Sequence, residues 1–206
     1  TATLPEDPTG YWSTRFMVGN REFYQSIRVE TIKPNRLKLY LDFGKDKLSA
    51  LDETTTGKIS AKWLHGAPAR NMNSLVEMTL NGGYTYFEKY KDYVFDNPTK
   101  TFTSQQMTLF DGTLDDNGEA TFDVKINAGQ NAPGMLKAFF TTRVFEKGGD
   151  FSIDQSSLTY SPYTHYVGVK APEGQGYNNQ LVTDKDHSIK IATVDANGKP
   201  PVNSIS

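Results

Sequence analysis

Two short segments on either side of a proline constrain the fold most strongly, because both alternate between apolar and polar side chains. Residues 23–30 and 36–42 each have the two-residue period of a strand with one buried face. Lys33-Pro34-Asn35 lies between them, and proline lacks the N–H that a continuous central strand needs. We therefore predict a domain joint here. Val29 would pack on the strand that ends the first domain, and Leu37 on the strand that begins the next one. Pro34 would stiffen the linker between them.

The position of this joint predicts how the chain is divided into domains. A β-sandwich needs roughly 100 residues to bury a core, and only 32 residues precede Lys33. We expect residues 1–32 to be the C-terminal strands of a preceding domain, residues 33–165 a complete β-sandwich, and residues 166–206 the N-terminal strands of a following domain. The chain would then be an excerpt of a longer protein, with a second linker from Ser161 to Gly168.

Short strands and turns recur along the whole chain, whereas no window of about 11 residues keeps the period of a helix. Gly19-Asn20 predicts the turn of a hairpin over residues 11–31. Asp115-Asp116-Asn117-Gly118 predicts a second tight turn. Regularly spaced short strands of this kind predict an all-β fold, an antiparallel β-sandwich.

Composition excludes several classes of protein. The 206 residues carry a net charge of −2 and include no cysteine. This sequence therefore holds no disulfide framework, no thiol nucleophile and no strong electrostatic attraction to nucleic acid or to an anionic membrane. No apolar run approaches the roughly 20 residues that span a bilayer. We predict a folded segment that contacts neither nucleic acid nor membrane.

An internal repeat relates residues 57–71 to residues 189–203 at an offset of 132. In both segments a strand is followed by a Gly-x-Pro turn. The identical pairs are Lys58 and Lys190, Ile59 and Ile191, Gly66 and Gly198, Pro68 and Pro200, and Asn71 and Asn203. The repeat predicts tandem sandwich modules in one chain, an arrangement that favours a scaffold or recognition surface over a catalyst.

Segments in several parts of the chain resemble one known family. They are VETIKPNRLKLYLD (29–42), KISAKWLHGAPARN (58–71), YKDYVFDNPTKTF (90–102), LDDNGEATFDVKI (114–126), NAPGMLKAFFTTRVFEKGGDFSI (131–153), YVGVKAP (166–172) and LVTDKDHSIKIATVDANGKPP (181–201). In this order they resemble the bacterial alpha-2-macroglobulin family.

The resemblance implies a fold, a function and a location. The fold would be tandem macroglobulin domains, each a seven-stranded antiparallel β-sandwich of the macroglobulin and fibronectin type III kind. The parent would be a lipoprotein of the cell envelope, periplasmic or surface-exposed, that traps target proteases after they cut a bait segment. This excerpt would lie upstream of the bait region and contact neighbouring macroglobulin domains. The Cys-x-Glu-Gln thioester motif of many members is absent from this sequence, which has no cysteine.

An aromatic segment with no regular period follows residue 83. Its rings belong to Tyr84, Tyr86, Phe87, Tyr90, Tyr93 and Phe95. Exposed tyrosines can stack on sugar rings or anchor a protein partner, which leaves a cell-surface adhesin or glycan-binding array as the alternative function. The simpler interpretation is that these rings complete the core or a domain interface.

Candidate metal ligands do not form a recognisable pattern. His65, His165 and His187 are too far apart in sequence for a local histidine motif. Placing Gly118 at the glycine position of an EF-hand loop leaves Thr113 and Val124 where acidic ligands are needed. The matching turn fails in the same way, with Thr193 and Ser204 at those positions. We predict no metal site and no cofactor.

Catalytic patterns are absent as well. No Gly-x-Ser-x-Gly elbow surrounds a serine, and no glycine-rich loop precedes a helix. Ser156-Ser157, the candidate serine nucleophile, lies in a polar stretch without such an elbow. Strands and turns flank the candidate phosphate loops, Gly148-Gly149 and Gly174-Gln175-Gly176. The candidate glycosidase carboxylates, Asp111 with Asp115 or Asp116, are better interpreted as solvated turn residues. We predict that the segment is not an enzyme and has no catalytic, cofactor-binding or metal-binding residues.

Overall fold

The computed structural model describes residues 10–29, 35–52, 54–172, 174 and 180–201, with the side chains of residues 10–12 and 27–29 left out. The Val29 side chain, Lys33, Pro34 and Ser204 lie outside this description, so the predicted joint stays a prediction. The chain divides into two compact units, Thr1–Asn35 and Arg36–Ser206.

The first unit contains an antiparallel hairpin of β1 (Gly10–Val18) and β2 (Arg21–Val29). Val18 lies opposite Arg21, which leaves Gly19 and Asn20 as a two-residue turn. Gly19 has a φ of 59°, a left-handed conformation that glycine adopts without steric cost. The predicted hairpin and its turn are confirmed.

The second unit is built from two sheets and a separate pair of strands. The strands are β3 (Leu37–Asp42), β4 (Lys47–Ser49), β5 (Thr55–Trp63), β6 (Asn73–Gly82), β7 (Gln105–Thr113), β8 (Glu119–Val124), β9 (Leu136–Phe145), β10 (Phe151–Ser161), β11 (His165–Lys170) and β12 (Lys190–Asp195), with a 3₁₀ turn at Glu88–Tyr90. The larger sheet has the order β4-β10-β9-β6-β7, the smaller sheet has the order β3-β5-β8, and β11 pairs with β12.

The two sheets bury one shared core because their strands alternate in burial. Every second residue of β9 is buried, and the same holds for β5 up to Ala61 and for β6 up to Leu80. Ile59 from the smaller sheet and Val76 and Phe140 from the larger one lie in the same buried cluster. Two facing sheets that bury alternating residues define a β-sandwich, so the predicted all-β sandwich is confirmed.

The strand inventory differs from the predicted seven. The two sheets hold five and three strands, because the three-residue β4 adds a short strand beside β10. β4 pairs with β10 in parallel, whereas the other pairs of described strands are antiparallel.

The pair β11–β12, here called the ribbon, corrects one prediction. The predicted linker from Ser161 to Gly168 is too long, because β10 ends at Ser161 and β11 begins at His165. Tyr166 and Gly168 are buried whereas the valines that alternate with them are exposed, so the two-residue period continues through this segment. The loop between β10 of the sandwich and β11 of the ribbon consists of residues 162–164.

The internal repeat has a structural counterpart in two turns. After β5, the amide of Trp63 donates to the carbonyl four residues ahead and the amide of Gly66 donates back to the Trp63 carbonyl, both at 2.8 Å. After β12, Asp195 and Gly198 make the same two bonds at 2.8 and 3.0 Å. Both glycines have positive φ, 98° and 76°. The equivalent residues keep the offset of 132 that the sequence shows.

Candidate functional site: an aromatic clasp

The aromatic segment between β6 and β7 lies against the ribbon. Residues 84–96, here called the clasp, contribute Phe87 and Phe95 to a second buried cluster, to which the ribbon contributes Tyr166 and Val194. The Phe87 ring centroid lies 4.8 Å from that of Phe95 and 5.8 Å from that of Tyr166, with the rings packed edge to face. Edge-to-face aromatic pairs add attraction to the apolar area that they bury. The clasp is therefore an interface between the sandwich and the ribbon.

Gly168 of the ribbon and Gly198 in the turn after β12 give the clasp rings space to pack. A Cβ on Gly168 would lie 2.5 Å from atoms of the Phe95 ring, and a Cβ on Gly198 would lie 2.8 Å from the Phe87 ring. Carbon atoms do not approach so closely without displacement, so a larger residue at either position would separate the ribbon from the clasp.

Polar groups fix both ends of the clasp to the sandwich. The buried hydroxyl of Thr85 accepts a hydrogen bond of 2.7 Å from the amide of Met135, next to the start of β9. The carboxylate of Asp96 accepts the amide of Thr85 with its two oxygens at 3.1 and 3.2 Å. Gly134 leaves the room for this arrangement, since a Cβ there would lie 2.0 Å from Asp96 Oδ1. The loop is thus closed on itself and tied to β9.

Backbone and charged contacts join the clasp side of the sandwich to the ribbon. Val94 and Val169 exchange two backbone hydrogen bonds of 2.9 Å, which form one rung of a ladder. Lys170 Nζ lies 2.9 Å from Asp92 Oδ2, and this ammonium holds the pKa of the Asp92 carboxyl below its usual value. Lys47 Nζ of β4 donates to the carbonyl of Ala196 at 2.5 Å. Burial lowers the pKa of Lys47, against the opposing charge of Asp195.

The outer side of the clasp carries two exposed tyrosines. Tyr84 is 68% exposed and Tyr86 is 50% exposed. The Tyr86 hydroxyl donates to Glu88 Oε2 at 2.6 Å, and this hydrogen bond raises the pKa of Tyr86. Tyr90 and Tyr93 are half-buried and pack edge to face with centroids 5.5 Å apart. The structure therefore separates the six rings into an interface set and an exposed pair.

A cleft of about 350 Å³ is lined by residues of the clasp, among them Val94 and Phe95, and by residues of β11, among them Tyr166 and Val169. Lys100 lies on its wall, with Nζ donating to the Gln130 carbonyl at 2.7 Å and 3.2 Å from the Tyr163 hydroxyl. The Lys100 ammonium is held by these two neutral acceptors, so it serves the local structure.

The three histidines lie apart. His65 stacks on Trp63 with centroids 6.2 Å apart, His165 Nδ1 lies 3.0 Å from Thr164 Oγ1, and His187 Nε2 lies 2.8 Å from a backbone carbonyl. Across the residues that the structure describes, no three His, Cys, Asp or Glu side chains converge as metal ligands.

The acidic turns use their carboxylates on their own backbone. Asp115 Oδ1 accepts the amides of Asn117 and Glu119, each at 2.8 Å. The Glu119 amide contributes most to holding the pKa of Asp115 below its usual value. Asp195 makes the equivalent bonds at 2.8 and 2.9 Å. Burial acts to raise the pKa of Asp195, but the backbone donors lower it overall. Of the EF-hand positions, Thr113 is exposed and Val124 is buried in the core.

Of the remaining candidates from the sequence, Gln175 and Gly176 lie outside the described residues, and the following groups lie on strands and turns. Asp111 is exposed on β7, Ser156 and Ser157 are exposed on β10, and Asp116 accepts a hydrogen bond of 2.9 Å from Asn71. Gly148 and Gly149 form the exposed turn between β9 and β10. The structure does not bring these groups together. In the described parts of the chain, no helix is long and apolar enough to cross a membrane.

Comparisons of the sequence and of the fold both find bacterial alpha-2-macroglobulins among the similar proteins. The alpha-2-macroglobulin homolog of Yersinia pestis is 26% identical over 99% of this chain, which spans 10% of that protein. Salmonella alpha-2-macroglobulin reacted with methylamine aligns with 95% of this chain and 13% of its own, at a TM-score of 0.60 and 22% identity. The native conformation of E. coli alpha-2-macroglobulin aligns with 94% of this chain and 13% of its own, at a TM-score of 0.63 and 19% identity. The structural likenesses show a shared fold.

A family model also matches the sandwich. Residues 35–156 match the model described as the bacterial alpha-2-macroglobulin MG5 domain. This range covers more than half of the 206 residues and lies inside the predicted central domain, 33–165, whose bounds stay a prediction. The predicted family resemblance is confirmed, and the chain belongs to the bacterial alpha-2-macroglobulin family.

Proposed function

We propose that this chain is a non-catalytic structural segment of a bacterial protease-trapping inhibitor of the cell envelope, in which the clasp sets the geometry between successive macroglobulin modules. Residues 1–32 would close one module, residues 33–165 form the next, and residues 166–206 open a third. The observation that carries the proposal is the equivalence of the ribbon with the first strands of the sandwich.

The ribbon and the pair β3–β5 share register and turn. Leu37 lies opposite Trp63 just before the Gly66 turn, and His165 lies opposite Asp195 just before the Gly198 turn. This register makes β11 equivalent to β3 and β12 equivalent to β5. Such a match supports the reading of the ribbon as the beginning of another sandwich.

The exposed face of the ribbon supports the same conclusion. Ile59 of β5 is fully buried against the larger sheet, whereas its equivalent Ile191 is 69% exposed. Val167 and Val169 are also exposed, on the same face of the ribbon as Ile191. An apolar sheet face normally packs against a second layer. In a longer chain we expect the remaining strands of the third module to cover it.

A rigid clasp suits a protein that works by domain rearrangement. The aromatic cluster, the backbone rung and the Lys47 contact tie the ribbon to the sandwich. A movement of either module would therefore be passed to its neighbour. Target proteases would be partners of the full-length protein only, and this segment would contact neighbouring macroglobulin modules. We propose a periplasmic or surface-exposed location and a lipoprotein anchor for the parent.

The test uses the full-length protein and a target protease. A trap encloses the protease, so cleavage of a large protein substrate should fall while cleavage of a small peptide continues. Phe95→Ala removes a buried clasp ring and should weaken this protection. Phe151→Ala changes a phenylalanine that is 49% exposed on β10 and should leave it intact. If the unaltered protein inhibits both substrates equally, or neither, the trapping function is wrong.

The alternative function, an adhesin or glycan-binding array, has a narrower basis. Of the six clasp rings, Tyr84 and Tyr86 are the two large exposed ones that could stack on a sugar. Phe87, Tyr90 and Phe95 pack inside the clasp or against the ribbon. The packing favours the interface function.

A further inference from the structure

We infer that an exposed face of the smaller sheet is the docking surface for a loop of the preceding macroglobulin module, with an aromatic ring seated on Gly66. This face, here called the Gly66 face, consists of Lys38, Tyr40, Lys62, Leu64 and Gly66. The inference rests on the tandem arrangement in the proposed function and adds the surface and the chemistry of the partner.

The equivalence between ribbon and sandwich identifies this face. The clasp covers the ribbon face that contains Tyr166, Gly168 and Val194, together with the Gly198 turn. By register and turn, these positions correspond to Lys38, Tyr40 and Lys62, together with the Gly66 turn. Each module start should therefore present the same face to the module before it.

The Gly66 turn has the shape of the occupied Gly198 turn, but no ring from the described residues lies on it. Both turns have the same two backbone hydrogen bonds and a glycine with positive φ. The Gly198 position is covered by the Phe87 ring, whereas a Cβ on Gly66 would meet no atom of the described residues within 4 Å. Leu64 beside it is 71% exposed, and Tyr40 is 50% exposed. An apolar side chain so exposed next to an open glycine fits an aromatic partner.

The lysines of the Gly66 face indicate which charge the docking loop should carry. Lys38 and Lys62 lie directly opposite each other on β3 and β5, and like charges in that position repel. Lys38 Nζ lies 5.2 Å from the centre of the Tyr40 ring. Within the part of the chain that the structure describes, neither lysine is in an ion pair with a carboxylate. The docking loop should therefore carry carboxylates beside its aromatic ring.

Site-directed photocrosslinking in the full-length protein tests this inference. Leu64 is replaced by p-benzoylphenylalanine, and Leu51, an exposed leucine of the loop after β4 at 63%, is replaced in a control protein. After irradiation, mass spectrometry should map the Leu64 link to a segment of the preceding module that contains aromatic and acidic residues. The Leu51 link should not map there. A Leu64 link to any other region, or no link within the chain, would overturn the inference.

A glycine pair controls for backbone strain. Gly66→Ala should reduce the yield of the Leu64 link severalfold, because the added methyl group occupies the seat of the ring. Gly149→Ala places the same strain in a turn with a φ of 86° and equally open surroundings, and should leave the yield unchanged. Equal effects of the two substitutions would reject a ring on Gly66.

If the link forms as expected but large substrates are not protected, only the proposed trapping function fails. If protection holds and the link maps elsewhere, only the docking surface fails.

Discussion

At the scale of single residues, Thr85 is the polar group on which the clasp depends. Its hydroxyl accepts the amide of Met135 at 2.7 Å and is 1% exposed. Thr85→Val keeps the shape but leaves that buried amide without an acceptor. We expect a loss of about 1–3 kcal/mol in the free energy of unfolding, because a buried unsatisfied amide carries its full desolvation cost. Urea denaturation of the unaltered protein and of Thr85→Val measures the difference in the free energy of unfolding.

Thr85→Ser is the matched control, since it retains the accepting oxygen and removes one methyl group. Its loss should be clearly smaller than that of Thr85→Val. Equal losses would show that the methyl packing of Thr85, and not its hydrogen bond, stabilises the clasp.

At the scale of elements, the ribbon should be separable from the sandwich. Gly168→Ala places a methyl group 2.5 Å from the Phe95 ring, and overpacking of this kind typically costs about 1–3 kcal/mol. We expect hydrogen exchange to accelerate in β11 and β12 while the amides of β6 and β9 keep their protection. Gly148→Ala, where a Cβ meets no atom within 4 Å in the described parts of the chain, should change neither region. Faster exchange throughout β6 and β9 would show that ribbon and sandwich unfold together.

The sequence predicts individual strands well where one face of the strand is exposed to solvent. The hairpin at Gly19-Asn20, the strand β3 and the turn at Asp115 follow from alternation and turn chemistry alone. The full extent of β11 does not, because Tyr166 faces the clasp while Val167 faces outward, so apolar residues occur on both sides. The three-residue β4 is too short to show a period.

The clasp is predictable from the sequence as a set of rings that completes the core or a domain interface, but the contacts that its rings make are not. Its aromatic composition indicates burial somewhere, but the partner of Phe95 is a glycine more than seventy positions away, and a glycine gives no pattern to read. The anchoring role of Thr85 depends on a close approach to Met135 across 50 residues. The contact of Lys47 with Ala196 spans 149 residues. Such long-range pairings are set by topology, which local periodicity does not contain.

At the scale of the whole molecule, aspartates limit the stability of the fold at low pH, and buried tyrosines limit it at high pH. Asp92, Asp115 and Asp195 have folded-state pKa values below the ordinary 3.8. Their contribution is present above pH 3.8 and is lost as pH falls through the folded values. Tyr160 and Tyr166 have pKa values raised above 10.0, chiefly by burial. Because the folded state disfavours the phenolates, stability should fall as pH rises above 10.0.

One ring of the clasp interface should account for part of the alkaline limb. Tyr166 packs against Phe87, and its hydroxyl lies 2.7 Å from Ser161 Oγ. Tyr166→Phe removes the titrating group, so the loss of unfolding free energy between pH 9 and pH 11 should become smaller than in the unaltered chain. Tyr84→Phe, at a ring that is 68% exposed, should leave the slope unchanged. Denaturant titrations at each pH measure both slopes, and identical slopes for the three proteins would mean that burial of Tyr166 against the clasp does not control the alkaline limb.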